Sequence, residues 1–169
     1  VVVSGFRDAP SNVRDTSREI YCRNIESLQA YLRDREGEFA QAIVNNAVAG
    51  FLEVKIQTVS DVESLVGPIL KTLPVSRKIA YRPGPTARNG VLIVYDDAIY
   101  TYHDNSETGP DGENRGRVVE IVHKRKNLSV FFVYCPNRVV SHNDAQALVE
   151  QWDSWFTSLL KRLQARDST

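Results

Sequence analysis

The sequence predicts an α+β protein: a mainly antiparallel sheet of about five or six strands, two N-terminal helices, one middle helix and a long C-terminal amphipathic helix packed on the sheet. Helical and strand periodicities come in runs rather than in strict alternation, which favours α+β over a parallel α/β sheet. From Ala145 to Leu163 apolar residues recur at spacings of three and four, among them Leu148, Trp152, Trp155, Phe156, Leu159 and Leu160, while Glu150, Asp153, Lys161 and Arg162 fall off the stripe. Just before that stripe, Leu128, Val130, Phe132 and Tyr134 alternate with Phe131, Val133 and Cys135. Apolar residues on both faces of a strand require cover on both faces, so this strand is expected to be central.

Residues 1–14 show no sustained period and read as an irregular arm, with a short strand at most at Val1–Val3; 15–166 reads as a single domain. Thr16 and Glu19 have capping-box spacing and open the first expected helix, whose stripe is Ile25, Leu28 and Leu32. Gly37 interrupts it. A second helix carries Phe39, Ile43 and Ala47 on one face, with Gly50 as its expected stop. Phe51 to Gln57 alternates as a half-buried strand, with Leu52, Val54 and Ile56 pointing one way and Glu53, Lys55 and Gln57 the other. Ser60 and Glu63 cap the middle helix, which Pro68 should kink. Strands are then expected at Arg77–Tyr81, Val91–Tyr95, Ile99–His103, Arg117–Lys124 and Leu128–Tyr134, with Asp96-Asp97 turning the second into the third.

The chain has 169 residues, with 42% hydrophobic and 25% charged, the composition of an ordinary globular domain. Lys plus Arg equals Asp plus Glu at 21 each, so no global electrostatic pull toward nucleic acid exists, and nucleic acid is expected to be an unlikely partner. No apolar run is long enough to span a membrane. Two cysteines without metal-ligand spacing, Cys22 and Cys135, read as free thiols in an intracellular protein, cytoplasmic or nuclear. The chain starts with Val and contains no Met, as expected of a domain excised from a larger protein.

Three groups of residues carry candidate chemistry. Tyr100 and Tyr102 share one strand face, which is either core or an aromatic contact surface. Lys124, Arg125 and Lys126 form a basic hairpin tip that, with Arg138, Arg77, Lys78 and Arg82, would make one basic surface for a phosphorylated ligand or lipid headgroup. In outline, residues 77–163 are similar to pleckstrin-homology domains, which implies a curved antiparallel sheet closed by a tryptophan-bearing helix. Glu53-Val54-Lys55 is an acid-x-lysine arrangement, and spacing of two in a strand puts both side chains on one face. Over this short stretch it resembles metal-dependent nucleases of the PD-(D/E)xK class, which implies that the acid helps bind Mg²⁺ and the lysine steadies the attacking water. The resemblance stops upstream, where a helix precedes Glu53 instead of an aspartate-tipped strand. A nuclease also needs further carboxylates converging on Glu53. His103, His123 and His142 have no metal-type spacing, and no nucleophile motif is present.

The expectation from sequence is therefore a non-catalytic protein–protein interaction or assembly domain, a scaffold with a protein partner and no cofactor. The alternative is a metal-dependent nuclease-like enzyme using Glu53 and Lys55.

Overall fold

A computed structural model describes residues 2–5, 12–14, 20–84, 89–104, 118–134 and 142–167 of the chain. The elements in order are β1 (Val2–Gly5), β2 (Asn12–Arg14), β3 (Ile20–Asn24), α1 (Leu28–Asn45), β4 (Val48–Leu52), α2 (Val59–Lys71), β5 (Lys78–Arg82), β6 (Val91–Tyr95), β7 (Tyr100–His103), β8 (Val118–His123), β9 (Ser129–Tyr134) and α3 (His142–Asp167). The strands form two sheets, one ordered β2-β3-β4-β6-β5 and the other β1-β9-β8-β7.

The two sheets face each other. Their shared core joins Ile20, Val48, Leu52, Val91 and Ile93 of the first sheet to Val119, Ile121, Val130 and Phe132 of the second. The outer face of the five-stranded sheet carries α1 and α2, through Leu28, Phe39, Ile43, Val62 and Val66 packed on Phe51, Leu92 and Val94. The outer face of the four-stranded sheet carries α3, whose Trp152, Trp155 and Leu159 pack on Val118, Phe131 and Val133. The result is four layers, helix–sheet–sheet–helix. Strands β4 and β6 are buried at every residue because both their faces are covered.

This architecture corrects the single antiparallel sheet and the two separate N-terminal helices expected from sequence. The turn at Asp96-Asp97 does not close a hairpin. β6 and β7 lie in different sheets, and the turn carries the chain across the sandwich, with Asp96 N–H held by Ala47 O at 2.8 Å. Two strand pairs are parallel, β3 with β4 and β1 with β9. Residues 20–24, expected in a helix, form β3, in which Ile20 and Cys22 point into the sheet-to-sheet core. The segment 1–14 contributes a strand to each sheet. The pleckstrin-homology outline fails for the same reason: its expected strands are divided between two sheets.

A single element, α1, replaces the expected helix pair. Ser27 caps it, its hydroxyl accepting from Ala30 N–H at 3.4 Å. The expected interruption survives as a kink at Arg35 (φ −143°, ψ 39°), two residues before Gly37. A Cβ at Gly37 would meet nothing within 4 Å. Since glycine costs a helix about 0.5–1 kcal/mol relative to alanine, Gly37→Ala should stabilise the protein by that amount in chemical denaturation. Helix α2 begins at Thr58, not at the Ser60 capping box; the Thr58 hydroxyl accepts from Asp61 N–H at 3.1 Å. It runs through Pro68 as one element.

The C-terminal stripe behaves as expected at Trp152 and Leu159, which are buried, but Val149 and Leu160 are exposed. No helix among the described residues is long and apolar enough to cross a membrane.

Candidate active site

Glu53 follows the last residue of β4, at the carboxyl end of the parallel β3–β4 pair. Asn24 ends β3 and stands opposite Leu52, one residue from Glu53 on the adjoining strand.

The backbone around this point is unusual. Glu26 (φ 62°), Glu53 (60°), Lys55 (59°), Asn89 (54°) and Gly90 (96°) are left-handed, and among the described residues no others are. All five sit at one end of the five-stranded sheet, after β3, after β4 or before β6. Each non-glycine residue held this way costs about 1–3 kcal/mol, and such strain persists only where the surroundings over-determine it.

Here they do. Val54 N–H donates to Gly90 O at 3.1 Å and Lys55 N–H to Asn89 O at 2.8 Å, while Val54 O accepts from Leu28 N–H at 3.1 Å. The Tyr81 hydroxyl donates to Ile56 O at 2.5 Å and accepts from Ile56 N–H at 3.3 Å. Gly90 is required by its φ and by space, since a Cβ there would stand 2.4 Å from the Tyr81 oxygen.

Burial pushes the Tyr81 hydroxyl up to about 12 from its ordinary value of 10. The neutral phenol is therefore favoured by folding. Its contribution to stability is intact below pH 10, where the unfolded chain also holds the proton, and is lost as pH rises through about 12. Tyr81→Phe leaves the buried Ile56 N–H and C=O without this partner. It should cost about 1–3 kcal/mol near neutral pH and flatten the alkaline loss of stability between pH 10 and 12, measured by urea melts.

The left-handed residues aim the two candidate side chains apart. Glu53 reaches the facing sheet, where the Tyr134 hydroxyl at the end of β9 donates to its Oε1 at 2.5 Å. Lys55 lines a cavity of about 410 Å³ on the helix side, with Gln29, Gln57, Asp61, Ser64 and Leu65. The expectation that Glu53 and Lys55 share one strand face is thus wrong, because β4 ends at Leu52. With it goes the resemblance to PD-(D/E)xK enzymes. The burial alternation that suggested a strand is real: Val54 and Ile56 are buried, Lys55 and Gln57 exposed.

At the same end, Arg82 bridges the sheets, donating to Val118 O at 3.1 Å and to Asp104 Oδ1 at 2.7 Å. A second cavity, about 400 Å³, lies against the end of β3 and is lined by Arg23, Asn24, Glu26, Tyr31 and Arg35.

The other predicted residues lie elsewhere. Tyr100 is 1% exposed and stacks edge-on against His123, so it is core and not a contact surface. Tyr102 is half-buried against the same core. Lys124, Arg125 and Lys126 are exposed at the hairpin tip, where His123 Nδ1 accepts from the N–H groups of Arg125 and Lys126, both at 3.0 Å. That tip is at the opposite end of the sandwich from Glu53, since Tyr100 pairs with His123 while Tyr134 reaches Glu53. The expected basic surface forms only in part. Arg77 pairs with Asp96 at 3.6 Å and Lys78 with Asp97 at 3.1 Å at the hairpin end, Lys124 donates to Asp97 O there, and Arg82 is at the other end. Arg138 lies outside the described residues. Sequence reasoning missed Tyr134, Asn24 and Tyr81. Tyr134 and Asn24 end strands and lack any local motif, so only sheet topology brings them to Glu53.

The further carboxylates that a PD-(D/E)xK nuclease would need around Glu53 are not seen: among the described residues no group of three or more His, Cys, Asp or Glu could hold a metal ion. Hard oxygens at this sheet end are the Glu53 carboxylate and, on the adjoining strand, the Asn24 amide oxygen, which accepts from Glu26 N–H at 3.0 Å. That set suits Mg²⁺, which uses one or two carboxylates plus substrate phosphates and keeps several waters, and not a closed zinc cage.

This four-layer sandwich has a counterpart among solved structures. The chain is similar to a variant of the 3' phosphatase NExo from Neisseria bound to product DNA hairpin, with a TM-score of 0.58 and 18% identity over 87% of this chain and 52% of that one. The chain thus spans about half of that neighbour. The chain matches no protein-family model and no curated protein. The likeness overturns the expectation of a non-catalytic interaction or scaffold domain with a protein partner, and the expectation that nucleic acid is an unlikely partner. Of the two sequence-based readings, the likeness in fold agrees better with the alternative, a nuclease-like enzyme.

Proposed function

We propose that this chain belongs to a metal-dependent phosphoester hydrolase acting on nucleic acid, with Glu53 as the carboxylate that holds the cation. The observation that carries this reading is the Glu53 carboxylate itself, set on a left-handed residue at the end of β4 and fixed across the sandwich mouth by Tyr134. Strained backbone maintained by surrounding hydrogen bonds is a feature of functional sites. The likeness in fold to a 3' phosphatase bound to a product DNA hairpin supports this choice of reaction class and substrate class. A nucleic-acid substrate goes with an intracellular setting, cytoplasmic or nuclear.

Glu53 binds and Tyr134 positions. A hydrogen bond to one carboxylate oxygen leaves the other free to face the substrate and fixes the rotamer, as outer-shell partners of metal ligands do. Asn24 offers an amide oxygen from the neighbouring strand. Mg²⁺ held there would supply a polarised water and charge stabilisation on the phosphoryl oxygens. Hydrolysis then joins a water oxygen to phosphorus, breaks the phosphorus–oxygen bond to the nucleoside, and returns a proton to the leaving oxygen.

The test is phosphate release from a 3'-phosphorylated DNA oligonucleotide, with and without Mg²⁺. The reading expects Mg²⁺-dependent release that Glu53→Gln removes. Wild-type release that survives EDTA, or that Glu53→Gln leaves untouched, would contradict it, as would no hydrolysis of any phosphoester in DNA or RNA.

A further inference from the structure

We propose that the cavity beyond Glu53, lined by Lys55, Gln29, Gln57, Asp61, Ser64 and Leu65, is a subsite for the nucleotide unit adjoining the phosphoester that is cleaved. The proposal rests on the hydrolase reading for the identity of the neighbouring reaction, but binding in the cavity does not depend on catalysis.

At about 410 Å³ the space falls in the range of ligand pockets and suits a single nucleoside-sized group. Its lining is mostly polar and of mixed type. The Lys55 ammonium is a point charge for a phosphate. The Asp61 carboxylate only accepts, so it calls for a ligand with hydroxyl or amino donors. Gln29 and Gln57 offer amides that donate and accept. Leu65, half-buried, gives an apolar wall for a sugar or base. A free phosphate would satisfy Lys55 but be repelled by Asp61; a nucleotide answers both.

Position supports the assignment. Lys55 is two residues from Glu53, and its left-handed backbone is pinned by Asn89 O. The strained turn 53–55 therefore places a cation-holding carboxylate on one side and a phosphate-seeking amine on the other. A polynucleotide whose reacting phosphate lies at Glu53 would meet this cavity by passing over the turn 53–55.

The cavity is tested with Gln57→Leu and Asp61→Asn, both at exposed positions, and with Leu65→Trp, which fills the space. Binding of a fluorescent single-stranded DNA pentanucleotide is measured in EDTA, and turnover is measured on that oligonucleotide and on 4-nitrophenyl phosphate in Mg²⁺. Each variant is expected to weaken oligonucleotide binding about tenfold and to raise its KM without changing kcat, leaving turnover of the small aryl phosphate at the wild-type rate. Unchanged binding in Gln57→Leu and Leu65→Trp overturns the proposal, and so does an equal loss on both substrates. Weakened binding in a chain that hydrolyses neither substrate keeps the subsite and removes the hydrolase reading.

Discussion

Gly50→Ala is expected to destabilise the protein by about 3 kcal/mol, at the upper end of what overpacking a core costs. Gly50 lies at the middle of β4 and faces the second sheet. A Cβ there would stand 2.2 Å from Phe132 Cδ1 and 2.3 Å from Cε1. The Phe132 ring is fully buried in the shared core. The two sheets must therefore separate, or β9 must shift, for one methyl group. Phe132→Ala alone removes the clash but opens a void, at a cost of about 3–5 kcal/mol. The double variant Gly50→Ala/Phe132→Ala should be less destabilised than the sum of the singles, because the new methyl occupies part of the space the ring leaves. Urea melts of the four proteins measure this. A neutral Gly50→Ala, or strict additivity, would mean that the two sheets do not meet face to face at this point.

Glu53→Gln is expected to lower Mg²⁺-dependent phosphoester hydrolysis by at least about a hundredfold, since loss of an outer-shell partner alone costs about 10–100-fold and the proposed function makes Glu53 the ligand itself. The fold should be unaffected. Glutamine has the same shape, and its amide oxygen can still accept from Tyr134. The neutral amide, however, removes the charge that holds the cation. Tyr134→Phe keeps the charge and loses only the hydrogen bond, so it should show the smaller defect, about 10–100-fold in metal affinity, partly restored at high Mg²⁺. This ordering separates a ligand from the residue that positions it. Equal defects in the two variants would place Glu53 and Tyr134 in a purely structural contact.

Which segments are covered on both faces was legible in the sequence, because such burial leaves a mark. Val91–Tyr95 and Phe131–Val133 are apolar without alternation, and they are central strands. The indole-bearing stripe of α3 was legible because Trp152, Trp155 and Leu159 repeat at helical spacing. β3 was hidden by the Thr16/Glu19 pair, and β4 by Val48-Ala49-Gly50, whose small residues resemble a helix end. Gly50 is small because Phe132 presses on it, a reason that exists only in three dimensions. The division into two sheets was invisible because the turn at Asp96-Asp97 has hairpin chemistry but spans the sandwich. At the site, Glu53 and Lys55 stood out as an acid-x-lysine pair. Their separation by left-handed backbone did not, since neither residue type signals a positive φ. Tyr134 joins Glu53 across 81 positions of sequence, a distance at which no local pattern operates.

Binding of Mn²⁺, a paramagnetic substitute for Mg²⁺, measures the central claim directly through the loss of the free-ion resonance on titration. The prediction is saturable binding to the wild-type chain that Glu53→Gln abolishes while the melting curve of the protein stays in place. Binding of the same strength in a folded Glu53→Gln protein, or none in the wild type with or without a DNA oligonucleotide, would contradict it.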